Sequence, residues 1–94
     1  MHHELKIWPQ FYRRVADGSK TFEIRDNDRG FQMGDTCELR EYDPEPVNKT
    51  VPMSPPKGYT DSPPLKFTIG YVHVLDRSQV VFSLLPFKAT KSKS

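Results

Sequence analysis

The sequence predicts a small, mainly β domain: about five strands with one short helix after the first, curled into a closed or partly open barrel. Three observations carry this. Runs with strand periodicity recur at residues 3–7, 20–25, 36–42, 65–76 and 80–87. One stretch, Trp8 to Gly18, repeats its apolar residues at helical spacing instead. A chain of 94 residues supplies one thin core, and closing the sheet removes edges that so small a domain tolerates poorly.

In the first strand His3, Leu5 and Ile7 share a face opposite Glu4 and Lys6. His2 and His3 diverge to opposite faces as strand neighbours, which argues against their binding a metal as a pair. Trp8, Phe11, Tyr12 and Val15 then fall at i, i+3, i+4 and i+7, a single helical stripe. Pro9 suits the first helical position, where its missing N–H costs nothing, and Gly18 suits a left-handed end. Two turns of helix do not stand alone and must dock on the sheet. Arg13 and Arg14 belong to its solvated side.

The next strand, Lys20 to Arg25, alternates cleanly: Phe22 and Ile24 are predicted inward, with Thr21, Glu23 and Arg25 on the opposite face. Asp26 to Gly30 and Gln32 to Asp35 read as tight turns. Thr36 to Tyr42 alternates again, with Cys37 and Leu39 inward and Thr36, Glu38, Arg40 and Tyr42 outward. Residues 44–64 hold seven of the nine prolines and read as a long surface loop. Residues 65–76 are apolar on both parities, the pattern of a strand covered on both faces, with Gly70 marking a bulge or a close approach and His73 a structural histidine. Residues 80–87 form a last buried strand. The domain thus spans residues 1–87, and the cationic residues 88–94 read as a disordered tail.

A net charge of +2 excludes recognition of nucleic acid by bulk charge and leaves only a local basic patch for that role. The single cysteine, Cys37, excludes an internal disulfide and a cysteine-based zinc site, and its strand position predicts a buried, inert thiol. With no leader and no apolar run long enough to cross a bilayer, the expectation is a cytoplasmic protein without membrane contact. No pattern calls for a metal or a cofactor.

The chemistry concentrates in Gly18 to Gly30, GSKTFEIRDNDRG. With the preceding LKIWPQFYRRVAD it resembles the opening signature of ASCH domains, a branch of the PUA-like superfamily. The shared motif, Gly-x-Lys-x-x-Glu-x-Arg, reads Gly18, Lys20, Glu23 and Arg25 here. The further match of NDRGF and of Arg40 to Asp43 is to short, uncharacterised ASCH-like proteins of bacteria and phages. The resemblance covers about residues 3–43. It implies a PUA-like pseudo-barrel with a cleft between the helix and the motif strand, and RNA or a modified nucleobase as ligand.

Nucleic-acid binding is therefore the predicted function. Lys20, Arg25, Arg29 and Arg40 would contact phosphate or base edges, Trp8 or Tyr42 would stack on a base, and Thr21, Glu23, Asn27 and Asp28 complete the candidate set. A purely structural alternative has Glu23 pairing with Lys20 or Arg25 at the barrel mouth. A second functional reading is an amidohydrolase acting on acetylated cytidine or a related nucleoside amide, with Lys20 and Glu23 catalytic. One ASCH branch has that activity through a lysine, a threonine and a later glutamate; Lys20 matches the first, Glu23 stands at the threonine position, and residues 65–87 contain no glutamate. A third reading is a small phage protein that binds a host protein.

Overall fold

The computed structural model describes residues 1–87. Its elements run β1 (His2–Ile7), α1 (Pro9–Ala16), β2 (Phe22–Asp26), β3 (Thr36–Pro46), β4 (Pro56–Tyr59), β5 (Leu65–Val74) and β6 (Gln79–Pro86). The mainly β class and the single early helix stand as predicted, with six strands among the described residues where about five were expected.

β3 is the spine. Its first half pairs with β1 in parallel, Cys37 facing His3 and Leu39 facing Leu5, and with β5 antiparallel. Its second half runs past the sheet and pairs with β4, Tyr42 opposite Tyr59. The strand order is β1-β3-β5-β6-β2, with β4 off that path. Among the described residues the sheet is not closed into a barrel: β1 and β2 are its two ends and do not pair. The sheet curls enough that residues of both ends line the same concavity. Arg29, in the turn after β2, spans the seam by donating from Nη1 to the Glu4 carbonyl of β1 at 3.0 Å.

The core forms where the alternation of β1, β3 and β6 turns apolar side chains to one side. Leu5, Ile7, Cys37, Leu39, Ile69, Val80, Phe82 and Leu84 are buried there, with Phe31 packed on Phe82 at 4.9 Å between ring centroids. Burial of each large aliphatic side chain stabilises the fold by about 1.5–3 kcal/mol relative to its exposure. α1 follows its predicted start and stop. The Trp8 carbonyl accepts the N–H groups of Phe11 and Tyr12, and Gly18 takes φ +84°. Tyr12 and Val15 dock into the core, and the Tyr12 hydroxyl donates to the Pro63 carbonyl at 2.6 Å. Trp8 and Phe11, from the same stripe, do not dock.

The other departures have physical causes. The proline-rich segment is not all loop, because the prolines of the β3–β4 arm sit at its outer end, where a missing N–H breaks no central ladder. β5 is not covered on both faces: Ile69 and Gly70 are buried, while Tyr71 and Val74 face outward. Among the described residues no second layer lies over that face, since the helix packs on β3. Gly70 is both bulge and close approach: the β5–β6 register shifts between Ile69 and Val72, and a Cβ there would overlap Ser83 Oγ. Ser83 Oγ accepts the Tyr71 N–H that the bulge frees, at 2.9 Å. His73 is exposed beside Tyr71 rather than structural. The tail at 88–94 lies outside the described residues.

Candidate functional site

β2 is the strand whose polarity is reversed. Its sequence alternation predicts Phe22 and Ile24 in the core, but they are 43% and 50% exposed, while Glu23 is 3% exposed. The predicted facing of β2 is therefore corrected. The reason is that Glu23 arrives already paired. Its Oε2 accepts Lys20 Nζ at 2.5 Å, and its Oε1 accepts Arg25 Nε at 3.0 Å and lies 2.8 Å from Arg25 Nη2. A carboxylate with both oxygens occupied by cations can enter a half-buried mouth that would reject it alone. Lys20 Nζ also donates to the Phe22 carbonyl at 2.6 Å and sits 4.9 Å from the Phe22 ring centroid.

This triad forms one side of a cleft of about 440 Å³ in the open seam. β1 contributes Lys6 and Ile7, the start of α1 contributes Trp8 and Phe11, and β2 contributes Phe22 to Arg25. The apolar residues that fail to dock, Trp8, Phe11, Phe22 and Ile24, thus meet around one concavity, with Glu23 and its two cations on one side. Arg25 also borders a smaller hollow of about 140 Å³ along the same seam, with Leu5, Asp28 and Arg29.

The predicted site residues divide accordingly. Trp8, Lys20, Glu23 and Arg25 come together in the cleft. Thr21 gives its carbonyl to the Leu84 N–H and does not line the cleft. Asn27 turns the chain, its N–H bonded to the Ser78 carbonyl. Asp28 and Arg29 stand at the smaller hollow, where Arg29 is committed to β1. Arg40 and Tyr42 lie outside the cleft, on the outer face of β3.

Sequence reasoning missed several of these partners. Lys6 and Phe11 line the cleft, Lys6 Nζ lies 4.3 Å from the Tyr42 ring centroid, and Tyr59 meets Tyr42 edge-on at 5.2 Å. The alternation of β1, which sends Lys6 outward beside the predicted Trp8, was the available signal for Lys6. Tyr59 left none, because β4 is hidden among prolines. Two buried carboxylates were also missed. Glu41 accepts the hydroxyls of Thr60 (2.6 Å) and Ser62 (2.7 Å), pinning the segment before β5 beneath α1. Burial raises the Tyr12 phenol above its ordinary value, and Glu41 adds to the rise against a hydrogen bond with Ser62.

Asp35 accepts His3 Nε2 at 2.8 Å, the N-terminal ammonium at 3.1 Å and the Gln32 N–H at 3.1 Å. Burial would push that carboxyl up, yet these bonds together hold it below the usual carboxylate range. Cys37 is buried as predicted, and burial, with Glu23 nearby, pushes its thiol up to about 11 against the opposing Arg25. The two histidines diverge as expected, His3 into the core and His2 outward. His2 stands near Glu4 and Glu38, its Nδ1 bonded to Thr36 Oγ1 at 2.7 Å, and Glu38 also faces Arg40 at 3.6 Å.

The family model of a domain of unknown function, DUF3850, matches residues 2–77. The chain belongs to the DUF3850 family. No curated protein matches the chain. Every residue that lines the cleft falls inside the DUF3850 match, whereas β6, the partner strand of β2, falls beyond it.

Proposed function

We propose that this DUF3850 chain is an ASCH-like domain of the PUA-like group that binds RNA, taking an unpaired or modified base into the seam cleft. The inverted strand β2 carries this reading. Folded domains break their own polarity rule chiefly where function needs it. Here the break leaves aromatic rings of Trp8, Phe11 and Phe22 around a hollow of about 440 Å³, roomy enough to admit a base, beside lysine and arginine. Aromatic faces with adjacent cations are what an unstacked base and its phosphate require. Glu23, with both oxygens engaged, orients the two cations.

Lys20 meets two acceptors, the contacts of an ammonium, whereas a catalytic base needs the free amine. Binding therefore uses the observed arrangement as it stands.

Trp8 is the single tryptophan, so its emission reports on the cleft directly. Titration with a mixed-sequence RNA hexanucleotide at low salt is expected to quench it. The affinity should fall as salt rises, with a logarithmic slope of about −1.4 to −2.1 for two or three phosphate contacts. Trp8→Ala, monitored by anisotropy of labelled RNA, should weaken binding about tenfold. Absence of quenching and of binding at low salt would overturn the reading.

A further inference from the structure

A second cluster of rings and cations continues from the cleft across the outer face of β1, β3 and β4. Trp8, at the cleft rim, lies 6.0 Å from the Tyr42 ring, which meets Tyr59 at 5.2 Å. Lys6 Nζ lies over Tyr42 and is 5.8 Å from Tyr59. The Arg40 guanidinium carbon lies 5.2 Å from the Tyr59 ring centroid. The cluster is open to solvent: Trp8 is 40% exposed, Tyr59 55%, and Lys6 and Arg40 are exposed. Register explains the placement. Lys6 pairs with Arg40 across β1–β3, and Tyr42 pairs with Tyr59 across β3–β4.

From this we infer that the strip Trp8–Tyr42–Tyr59, flanked by Lys6 and Arg40, is a second subsite that holds the nucleotides next to the one in the cleft, so that the ligand is a single-stranded RNA segment rather than a free nucleoside. This rests on the cleft reading for the end of the path and extends it by residues outside the cleft. Charge complementarity favours the occupant. Rings interleaved with cations present stacking faces and phosphate partners in alternation, the combination that binds single strands without reading sequence. Glu38 lies 3.6 Å from Arg40 and tempers that cation, whereas no acidic partner faces Lys6 among the described residues. The β3–β4 arm serves in this scheme to bring Tyr59 beside Tyr42.

The test is a length series, read by anisotropy at low salt, of labelled RNA from one to six nucleotides, with wild type, Tyr59→Ala, Tyr59→Phe and Phe22→Ala, a residue of the cleft but not of the strip. Affinity should rise at least tenfold between one and four nucleotides. Tyr59→Ala should lose about tenfold on the longer oligonucleotides and nothing on the mononucleotide, and Tyr59→Phe, which keeps the ring, should restore the wild-type value. Affinity independent of length, with Tyr59→Ala unchanged, overturns the strip and leaves the cleft. Length-dependent binding that is lost in Tyr59→Ala but fully retained in Phe22→Ala supports the strip and overturns the cleft reading. No binding at any length overturns both.

Discussion

Replacing Glu23 by glutamine tests whether the buried carboxylate organises the cleft. In the folded protein Glu23 receives Lys20 at 2.5 Å on one oxygen and Arg25 at 3.0 and 2.8 Å on the other. Glutamine keeps the shape but has a single acceptor oxygen. If that oxygen serves Arg25, an amide N–H faces the Lys20 ammonium, and the reverse choice opposes two donors at Arg25. At least one charge-assisted bond is lost, worth about 1.5–3 kcal/mol. Removing one partner of a wholly buried pair costs about 3–5 kcal/mol. Here the two cations keep 21% of their side-chain surface exposed and can turn toward water, which holds the cost near the lower range. A loss of about 1.5–3 kcal/mol lowers the melting temperature of a domain this size by roughly 6–24 °C. Thermal melts followed by near-ultraviolet circular dichroism, at 0.1 M and about 1 M salt, provide the assay. The deficit should persist at high salt, because the carboxylate is sheltered from mobile ions. A variant melting within about 2 °C of wild type, or one whose deficit vanishes in high salt, would show that Glu23 is not clamped and refute the account of β2 given above.

Three further outcomes follow from the same structure. Gly70→Ala places a methyl group against Ser83 Oγ and 3.1 Å from Leu85 Cγ, so urea denaturation should show a loss of about 1–3 kcal/mol, partly relieved in a Ser83→Gly background. Asp35, whose folded-state carboxyl is held low, contributes stability that is present above its unfolded value near 4 and lost as pH falls through the folded value. Asp35→Asn should therefore be less stable than wild type at pH 7, with the difference shrinking in acid; parallel stability curves down to about pH 2 would contradict the assignment. Cys37, pushed up to about 11 by burial, should resist iodoacetamide at pH 8 in the folded protein and react fully in guanidinium; rapid labelling of the native state would show that the core over β3 opens.

Strands whose apolar face meets the core were readable from alternation alone. β1 buries His3, Leu5 and Ile7, and β3 buries Cys37 and Leu39, as the pattern demands. The helix was legible from its stripe, Pro9 and Gly18. β2 misled because alternation states only that two faces differ, not which one a pair of neighbouring cations will drag inward. Residues of the motif were legible as a group, and Lys20, Glu23 and Arg25 do share one locus, yet their mutual pairing depends on distances that a sequence does not contain. Proline content hid β4, since the ladder it joins is peripheral and needs few N–H donors. The strip at Tyr59 was illegible for that reason: it exists only because a short strand found the far end of β3.

The isolation of β2 bears on how the molecule comes into being. Among the described residues its ladder is with β6 alone, at separations of up to about sixty residues along the chain. During synthesis the lysine–glutamate–arginine group emerges early but stays without its supporting strand until residues 79–86 have left the ribosome. A chain halted before that point carries β1, β3 and β5 but lacks the strand that supports one wall of the groove. Contacts of such long range are closed late and slowly. The groove should therefore gain its second wall abruptly with the last strand, rather than by degrees as the chain lengthens.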